Sequence, residues 1–318
     1  MTLFPQLSAL RGGNGIVRVI GHRGAREIMP ENTMEGFEFT LSVGVETLEF
    51  DVVMTADQVP VITHNHRLLA AATRRDDGSW LTGEEPKVSS LTLAQLHQFD
   101  VGGLDGRSIY GKRFPDQAFL SGVRIPRLSE LLELIAQPAH QNVTLLLELK
   151  SDPSLKTDAP ALAQFIAAVL NEVRAHRLQN KTVLHSFDWD LLRTCRQQAP
   201  EMPMSYLSQT RREGADPHED CPLSVSPNFE EIAVSLPQAV ADAGGQVWSP
   251  HYLDVTAQSV KEAHALGLVV DTWTVNERDD IYQMIDAGVD GIITDHPGRV
   301  QRCLYERGMH WTVSEKTR

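Results

Sequence analysis

The sequence predicts a (β/α)8 TIM barrel with a small insertion after the hairpin of its second strand. Apolar, β-rich runs alternate with stretches of helical periodicity along most of the chain, which is typical of parallel strands joined by crossover helices. Charged side chains follow several of these runs directly, as they do where a barrel carries its site at the carboxyl ends of its strands. The 318 residues are enough for one large α/β domain.

The composition excludes some classes of protein. The chain is 42% hydrophobic and 22% charged, with a formal net charge of -13. A chain this acidic argues against a nucleic acid partner, because phosphate backbones are bound by basic surfaces. No stretch reaches membrane-spanning length and no signal segment is visible, so we expect a cytoplasmic protein without a membrane span. The cysteines, Cys195, Cys221 and Cys303, lack metal-type spacing and are expected to be reduced thiols.

The first predicted strand, residues 16–20, ends in a glycine-flanked turn that contains His22 and Arg23. A helix is predicted over residues 33–43, where apolar residues recur at helical spacing. Asn32 is expected to cap this helix, because a short polar side chain before the first turn can accept a hydrogen bond from a free backbone amide.

The second strand, residues 46–55, carries Glu49 and Asp51, whose two-residue spacing directs both carboxylates to one face. A short turn separates it from another β-rich run at residues 59–64. This turn leaves no room for a helical crossover, so we predict an antiparallel hairpin. The returning arm would bring His64 back beside Asp51.

Residues 66–126 show no regular alternation of strands and helices and are rich in turn-forming residues. We interpret them as an insertion within a single domain that spans residues 1–318. Because the insertion starts directly after the hairpin, we expect it to form a lid or subdomain over the site. A surface excursion without such a role is the alternative.

Regular alternation resumes after the insertion. The predicted elements are helix 128–136, strand 143–150, helix 159–176, strand 182–187, helix 189–198, strand 204–208, helix 237–243, strand 246–249, helix 257–266, strand 268–275, helix 278–287 and strand 291–294. Without the returning arm of the hairpin, the chain has about eight barrel strands. Residues 1–15 are predicted to be irregular, and His296-Pro297 is interpreted as a stop signal.

The strand at residues 143–150 ends in Leu-Glu-Leu-Lys, so Glu148 and Lys150 share one face while the leucines face the helices. With Glu49 and Asp51, three carboxylates would meet at the barrel mouth, where like charges need a neutralising cation. Oxygen ligands without cysteine predict one divalent cation, Mg²⁺ or Ca²⁺. The alternative is an internal salt bridge between Glu148 and Lys150.

Two histidines, His22 and His64, end apolar strands where the barrel opens. Such a pair suits proton transfer at neutral pH, since one neutral ring can accept a proton while the other, protonated, donates one. Arg23 and Lys150 add positive charge that would stabilise a phosphodiester as its phosphorus becomes pentacoordinate. Core histidines without a catalytic role are the alternative.

These residues resemble those of a known family, the glycerophosphodiester phosphodiesterases of the phospholipase C-like barrel superfamily. The motifs that carry the resemblance are His22-Arg23-Gly24, Pro30-Glu31-Asn32-Thr33, Glu49-Phe50-Asp51-Val52, Thr55 with residues 59–64, Ile125-Pro126-Arg127-Leu128, Glu148-Leu149-Lys150, Ser186-Phe187, Trp273-Thr274-Val275-Asn276 and Gly288-Val289-Asp290-Gly291-Ile292-Ile293-Thr294-Asp295. They are spread along the chain, so residues 1–318 are expected to form one catalytic domain.

The resemblance implies metal-dependent hydrolysis of small-molecule glycerophosphodiesters to sn-glycerol 3-phosphate and an alcohol, with water or a neighbouring substrate hydroxyl as the nucleophile. The roles it implies are acid/base catalysis by His22 and His64, metal ligation by Glu49, Asp51 and Glu148, phosphate contacts from Arg23 and Lys150, and packing of Trp273 on the glycerol. One departure is visible, because the family usually has Asp after its second histidine and this chain has Asn65.

Other functions are compatible with the same residues. The barrel could act on lysophospholipids or other phosphodiesters, or it could bind phosphodiesters without cleaving them. A carbon–carbon lyase that uses Lys150 as a Schiff base is disfavoured, because Glu148 and the paired histidines suit phosphate better. The head group, the physiological metal and the oligomeric state do not follow from the sequence.

Overall fold

Parallel strands close into a barrel in the computed structural model, which describes residues 4–151, 153–210 and 224–312. The strands in these ranges are β1 (Arg18–Gly21), β2 (Thr47–Met54), β3 (Pro60–Ile62), β4 (Thr144–Leu149), β5 (Thr182–Ser186), β6 (Met204–Ser208), β7 (Val247–Pro250), β8 (Val269–Thr272) and β9 (Gly291–Thr294). Their order is β1-β9-β8-β7-β6-β5-β4-β2, and the pairing of β1 with β2 closes the circle. The predicted (β/α)8 barrel is confirmed.

Helices cover the outside of the barrel. Those in the described ranges are α1 (Gln6–Leu10), α2 (Met34–Ser42), α3 (Leu93–Leu96), α4 (Ile109–Arg113), α5 (Leu128–Ile135), α6 (Pro153–Thr157), α7 (Ala159–Ala175), α8 (Trp189–Gln198), α9 (Leu236–Asp242), α10 (Ala257–Ala265), α11 (Arg278–Ala287) and α12 (Pro297–Glu306). Of these, none combines the length and the apolar composition that crossing a lipid bilayer would require. Cys195 and Cys303 are buried free thiols, and Cys221 lies outside the described residues.

The last helix, α12, corrects the interpretation of His296-Pro297 as a stop signal. The imidazole of His296 accepts a hydrogen bond from the backbone N–H of Arg299 at 3.1 Å and caps the helix. Pro297 occupies the first turn, where its missing N–H costs nothing because that amide has no partner in a helix. The same dipeptide therefore starts a helix that the sequence pattern did not reveal.

The amino-terminal end of the barrel is closed by α1, where the sequence predicted irregular structure. Its Leu10 is fully buried against inward-facing side chains of six strands, namely Ile20, Leu146, Val183, Val247, Val269 and Ile293. The side-chain amide of Gln6 donates hydrogen bonds to the carbonyls of Gln179 and Thr182 at 2.9 and 3.3 Å. A helix of five residues is too short to show periodicity in a sequence.

The hairpin of β2 and β3 is antiparallel, as predicted. Val52 pairs with Ile62 and Met54 pairs with Pro60. Beyond this ladder the backbone N–H of Thr63 donates to the carbonyl of Asp51 at 3.1 Å. The returning arm therefore delivers the next residue, His64, to the carboxyl end of β2.

The segment 66–126 contains short helices and isolated bridges, including α3 and α4. Its apolar side chains form a small cluster with the hairpin, which includes Val53, Val61, Leu68, Leu81, Val88, Leu96 and Ile125. The segment thus packs on the outer part of the hairpin through its own hydrophobic contacts. Its role as a lid stays a prediction.

Asp271 is a buried carboxyl inside the barrel. It is 0% exposed, and within the described structure neither carboxyl oxygen has a hydrogen-bond partner. Gly291 on the neighbouring strand leaves room for it, since a Cβ at that glycine would lie 2.4 Å from Asp271 Oδ1. Burial, and then the charge of Asp290, raises the pKa of Asp271 well above its ordinary value.

Replacing Asp271 with Asn is expected to make the protein increasingly more stable than the wild type as the pH rises. Because the folded-state pKa is raised, the unfolded chain releases this proton at a lower pH than the folded protein does. The wild type then loses up to about 1.4 kcal/mol of unfolding free energy per pH unit until the folded pKa is reached. Guanidinium denaturation at pH 5 and pH 8 measures the difference, and a difference independent of pH would contradict the ionisation argument.

Candidate active site

The predicted site residues meet at the carboxyl-terminal mouth of the barrel. They lie within β2, near the end of β4, or directly after β1, β3 and β4. Seven of them are buried: His22, Arg23, Glu49, Asp51, His64, Glu148 and Lys150. Their exposed fractions run from 0% for Asp51 to 9% for His22. The eighth, Trp273, is partly buried just beyond β8.

The carboxylates of Glu49, Asp51 and Glu148 form a compact buried cluster, with one oxygen from each lying within 4.8 Å of the others. Parallel pairing places Asp51 opposite Glu148. Burial, and then the charges of its two neighbours, raises the pKa of Glu49 well above its ordinary value. Burial raises the pKa of Glu148 to about 7, against the attraction of Lys150. In two of the three acids, Glu49 and Glu148, the charged form is therefore disfavoured.

Asp51 behaves differently within the same cluster. Burial alone would raise its pKa, but His64, Lys150 and Arg23 outweigh burial and hold the pKa of Asp51 below its ordinary value. The carboxylate is therefore ionised. Its Oδ1 atom has no hydrogen-bond partner among the described residues. An ionised, buried oxygen beside two more carboxyl groups is a suitable ligand for a divalent cation.

These donors fit a hard divalent cation. Burial, and then the neighbouring carboxylates, raise the pKa values of Glu49 and Glu148, and a bound ion would offset both effects. It would also contact the buried Asp51 Oδ1, which accepts no hydrogen bond from the described residues. All three ligands are carboxylates, the donor type that such ions prefer over thiolates. The cluster could thus hold one metal ion.

Two cations border the carboxylate cluster. Lys150 Nζ lies 3.0 Å from Glu148 Oε1 and 3.4 Å from Asp51 Oδ1. Arg23 lies 3.5 Å from Asp51 through Nε, and its guanidinium donates to Glu31 Oε1 at 2.9 Å. The salt bridge of Glu148 with Lys150 therefore exists, but it is part of a larger cluster. Arg23 also donates its backbone N–H to Glu49 Oε2 at 3.0 Å.

The sequence predicted that Asn32 caps α2. In the structure, Asn32 contacts the carboxylate cluster instead. Its side-chain amide donates to Asp51 Oδ2 at 2.9 Å. The cap is Thr33, whose hydroxyl accepts from the Gly36 N–H at 3.1 Å. The backbone explains the difference, because Thr33 has the extended conformation of a cap residue while Asn32 has a left-handed φ of 54°. Sequence reasoning shifted the cap by one residue and missed a contact of the site.

His22 is oriented by Asp295, a residue to which the sequence analysis gave no role. The two side chains are 2.6 Å apart through His22 Nδ1 and Asp295 Oδ1. Asp295 also receives hydrogen bonds from both Arg26 Nε and Nη2, at 2.9 and 3.0 Å, and from Asn276 at 2.7 Å. Burial alone would raise the pKa of Asp295, but Arg26 and His22 hold the pKa below its ordinary value. The position of Asp295 directly after β9, which pairs with β1, is the signal that could have revealed it.

An ionised Asp295 fixes the tautomer of His22, because Nδ1 must carry the proton that Asp295 accepts. The other ring nitrogen, Nε2, lies 3.9 Å from Glu49 Oε2 and faces the carboxylate cluster. Burial lowers the pKa of His22, and the charge of Asp295 opposes this effect. His22 therefore presents an unprotonated nitrogen to the site when the ring is neutral.

His64 has a different orienting partner. Its Nδ1 lies 2.6 Å from the side-chain oxygen of Asn65, which accepts the proton of that nitrogen. The amide found where the resembling family usually has a carboxylate thus keeps the hydrogen bond but not the charge. The hydrogen bond to Asn65 places the proton of the neutral ring on Nδ1.

The mouth also has an aromatic wall and a cavity. The ring of Trp273 packs edge-on against Phe187 and His251, with ring centres 5.3 and 5.0 Å apart. Its indole N–H donates to the carbonyl of Ser249 at 2.9 Å, which fixes the ring plane. Beside Glu148 and Lys150 lies a cavity of about 390 Å³. The site can therefore accommodate a small organic molecule next to its charged cluster.

Comparison with known proteins identifies the family of this chain. Residues 22–299 match the model of the glycerophosphoryl diester phosphodiesterase family. A crystal structure from Silicibacter pomeroyi DSS-3, provisionally named a glycerophosphoryl diester phosphodiesterase, is 58% identical, has a TM-score of 0.91 and covers 97% of this chain and 100% of its own.

Two more distant proteins share the fold or the sequence pattern. The glycerophosphodiester phosphodiesterase of Caldanaerobacter subterraneus subsp. tengcongensis is 26% identical over 88% of this chain and 94% of its own length. An Oleispira antarctica phosphodiesterase, solved with the product sn-glycerol-3-phosphate, is 23% identical with a TM-score of 0.68, and the match covers 91% of this chain and 97% of that one. The chain belongs to the glycerophosphoryl diester phosphodiesterase family.

Proposed function

We propose that this protein hydrolyses glycerophosphodiesters to sn-glycerol 3-phosphate and an alcohol, with Mg²⁺ or Ca²⁺ held by Glu49, Asp51 and Glu148. The observation that carries the proposal is that two histidines border this buried carboxylate cluster at the mouth of the barrel. Family membership supports it, as does the product found in the structurally similar Oleispira enzyme. The bound ion would supply positive charge to the oxygens of the phosphodiester.

His22 and His64 divide the proton transfers in this proposal. Neutral His22 accepts, at Nε2, the proton of the attacking hydroxyl as the new O–P bond forms. If that hydroxyl belongs to water, sn-glycerol 3-phosphate forms directly. If it belongs to the substrate, a cyclic phosphate forms first, and a water molecule then opens the ring with the proton transfers reversed. His64 donates the proton on Nε2 to the alkoxide that leaves when the old P–O bond breaks. The assignment rests on Asp295, which keeps Nε2 of His22 unprotonated, and on burial, which lowers the pKa of His22.

Arg23 and Lys150 are proposed to contact the phosphate, and Trp273 is proposed to pack on the glycerol. Both cations already lie against the carboxylate cluster, so a phosphate beside the bound metal ion would be within their reach. The fixed plane of the Trp273 ring offers an apolar surface to the carbon chain of glycerol. We further propose that residues 1–318 form one catalytic domain in which residues 66–126 act as a lid, since Arg67 and Lys87 of that segment line the cavity.

A substrate panel with metal add-back tests the activity. The protein is stripped with a chelator, reloaded with Mg²⁺ or Ca²⁺, and given glycerophosphocholine, glycerophosphoethanolamine, glycerophosphoinositol or lysophosphatidylcholine. Release of glycerol 3-phosphate from the water-soluble diesters supports the proposal. Release from the lysophospholipid alone would favour a lipid phosphodiesterase, and binding without release would favour a non-catalytic barrel. The cytoplasmic location and a place in glycerol and lipid metabolism stay predictions.

Asp295→Asn is expected to lower kcat/KM by about 10²-fold, because the amide carries no charge and replaces one of the two acceptor oxygens with a donor, so it no longer imposes one tautomer on His22. Asp295 raises the pKa of His22 through its charge and its hydrogen bond, so the variant's base should have a lower pKa. The rate rises with pH as the base loses its proton, and this acidic limb of the kcat/KM profile should therefore shift to lower pH. An unshifted limb in a variant with a normal unfolding midpoint would remove Asp295 from this role.

A further inference from the structure

The cavity of about 390 Å³ beside the site is lined partly by residues of the insertion, His66, Arg67 and Lys87. His66 follows His64 by two residues. If His64 protonates the leaving alkoxide, as proposed above, the alcohol part of the substrate lies next to residues 64–66, and His66 lines this cavity. The cavity is therefore the place for the head group.

Arg67 and Lys87 are held side by side by the backbone. They face each other in an antiparallel bridge, which is flanked by hydrogen bonds from Val88 N–H to the His66 carbonyl at 2.9 Å and from Leu68 N–H to the Pro86 carbonyl at 3.0 Å. Directly opposed residues of an antiparallel pair project their side chains from the same face. Two positive charges in this arrangement repel each other unless an anion lies near both.

The chain supplies little negative charge to this pair. The one ion pair of Arg67 in the described structure is with Glu84, at 3.8 Å, and the Glu84 side chain is 89% exposed. The guanidinium of Arg67 also donates to the carbonyl of Glu85 at 2.6 Å, an acceptor without a net charge. For Lys87 no ion pair is found in the described ranges. Among the described lining residues the one acid is Glu148, which already belongs to the carboxylate cluster, and four of the others are serines. The cavity thus offers cations and hydroxyl groups.

The cavity lacks the features that bind a quaternary ammonium group. Such groups are bound by cages of several aromatic rings or by carboxylates. Phe187 and the imidazole of His66 are the aromatic rings among the described lining residues, and neither Tyr nor Trp is among them. The cations Arg67 and Lys87 would repel a choline. A second negative charge on the head group would instead be attracted to both cations.

We propose that the protein prefers glycerophosphodiesters whose alcohol carries an additional anionic group, such as a second phosphate on a polyol, and that Arg67 and Lys87 bind this group. The inference rests on the proposed hydrolysis and adds its substrate class. Lys87 is exposed, so solvent and salt screen its charge. We therefore expect kcat/KM to be roughly 10-fold higher for a diester with the additional anionic group than for the same diester without it.

The test compares kcat/KM for glycerophosphoinositol 4-phosphate, glycerophosphoinositol and glycerophosphocholine, using metal-loaded full-length protein. The wild type should favour the 4-phosphate over the unphosphorylated diester by roughly 10-fold at low salt, and less at high salt. Lys87→Glu and Arg67→Gln should each reduce this ratio, and Lys87→Glu should raise kcat/KM for glycerophosphocholine. Lys261→Glu, the same charge change on the distant helix α10, should leave the ratio at its wild-type value.

The outcomes separate this inference from the proposed function. Hydrolysis of all three substrates with equal kcat/KM, or a wild-type ratio in both cavity variants, would overturn the preference and leave the hydrolysis standing. Absence of hydrolysis of every substrate by metal-replete protein would overturn the proposed function, and this inference with it.

Discussion

His22→Ala is expected to reduce kcat by about 10²- to 10⁴-fold while ligand affinity stays close to that of the wild type. The imidazole is the group whose unprotonated Nε2 faces the carboxylate cluster, and Asp295 fixes it in that orientation. An alanine cannot accept the proton of the attacking hydroxyl, so the loss should fall on kcat. Steady-state kinetics gives kcat, and calorimetric titration with glycerol 3-phosphate gives the affinity.

His176→Ala is a matched control, because this histidine lies at the carboxyl end of α7, away from the barrel mouth. It should keep wild-type kinetics. If His22→Ala also turned over at the wild-type rate, His22 would be part of the scaffold and the base would have to be another residue. If His22→Ala bound no ligand, its low rate would reflect the loss of substrate binding instead of the loss of the base. The unfolding midpoint of the variant shows whether the whole protein is destabilised.

Removal of divalent cations by a chelator is expected to abolish turnover, with recovery on addition of Mg²⁺ or Ca²⁺. Without an ion, burial and then repulsion within the cluster leave Glu49 and Glu148 with raised pKa values. Because Glu148 has a pKa of about 7, metal binding near neutral pH should release protons and should weaken as the pH falls. Calorimetry in buffers of different ionisation enthalpy measures both the affinity and the protons released.

Asp51→Asn should weaken metal binding by about 10²-fold or more, since it removes the ligand that is ionised before the ion arrives. Asp271→Asn provides the control, because it changes an equally buried acid of the barrel interior that lies outside the carboxylate cluster. The control should bind Mg²⁺ and Ca²⁺ as the wild type does. Metal-independent turnover, or unchanged metal affinity in Asp51→Asn, would contradict the proposed role of the cluster.

Much of the barrel could be predicted because strands that are buried on both faces appear as continuous apolar runs, and the helices between them show helical periodicity. The predicted limits of β6, β9, α8 and α11 agree with the structure. The hairpin could be predicted from the length of the connection, because the few residues between the two β-rich runs cannot form a crossover helix. By contrast, α1 is too short to show a period, and α12 starts with a residue pair that also serves as a terminator.

The site could be predicted where its residues lie on strands or directly after them. Glu49, Asp51 and Glu148 follow from alternation along two strands that pair in register. The contacts of Asn32 and Asp295 could not be predicted in the same way, because they depend on backbone angles in a turn and on the pairing of the first strand with the last. Arg67 and Lys87 lie in a segment without periodicity, and only their backbone bridge places them together.

The insertion leaves the barrel and returns to it at adjacent positions. It departs just after the Thr63 N–H bond to Asp51, and it ends where Pro126 accepts a hydrogen bond from the Ile62 N–H at 2.9 Å and Arg127 forms a bridge with Val61. Both of its ends are thus fastened to one short strand. The stretch between these two ends can therefore change in length without shifting the register of the strand that precedes His64, as long as the contacts of Gln117 with Arg26 and of Tyr110 with Glu31 are kept.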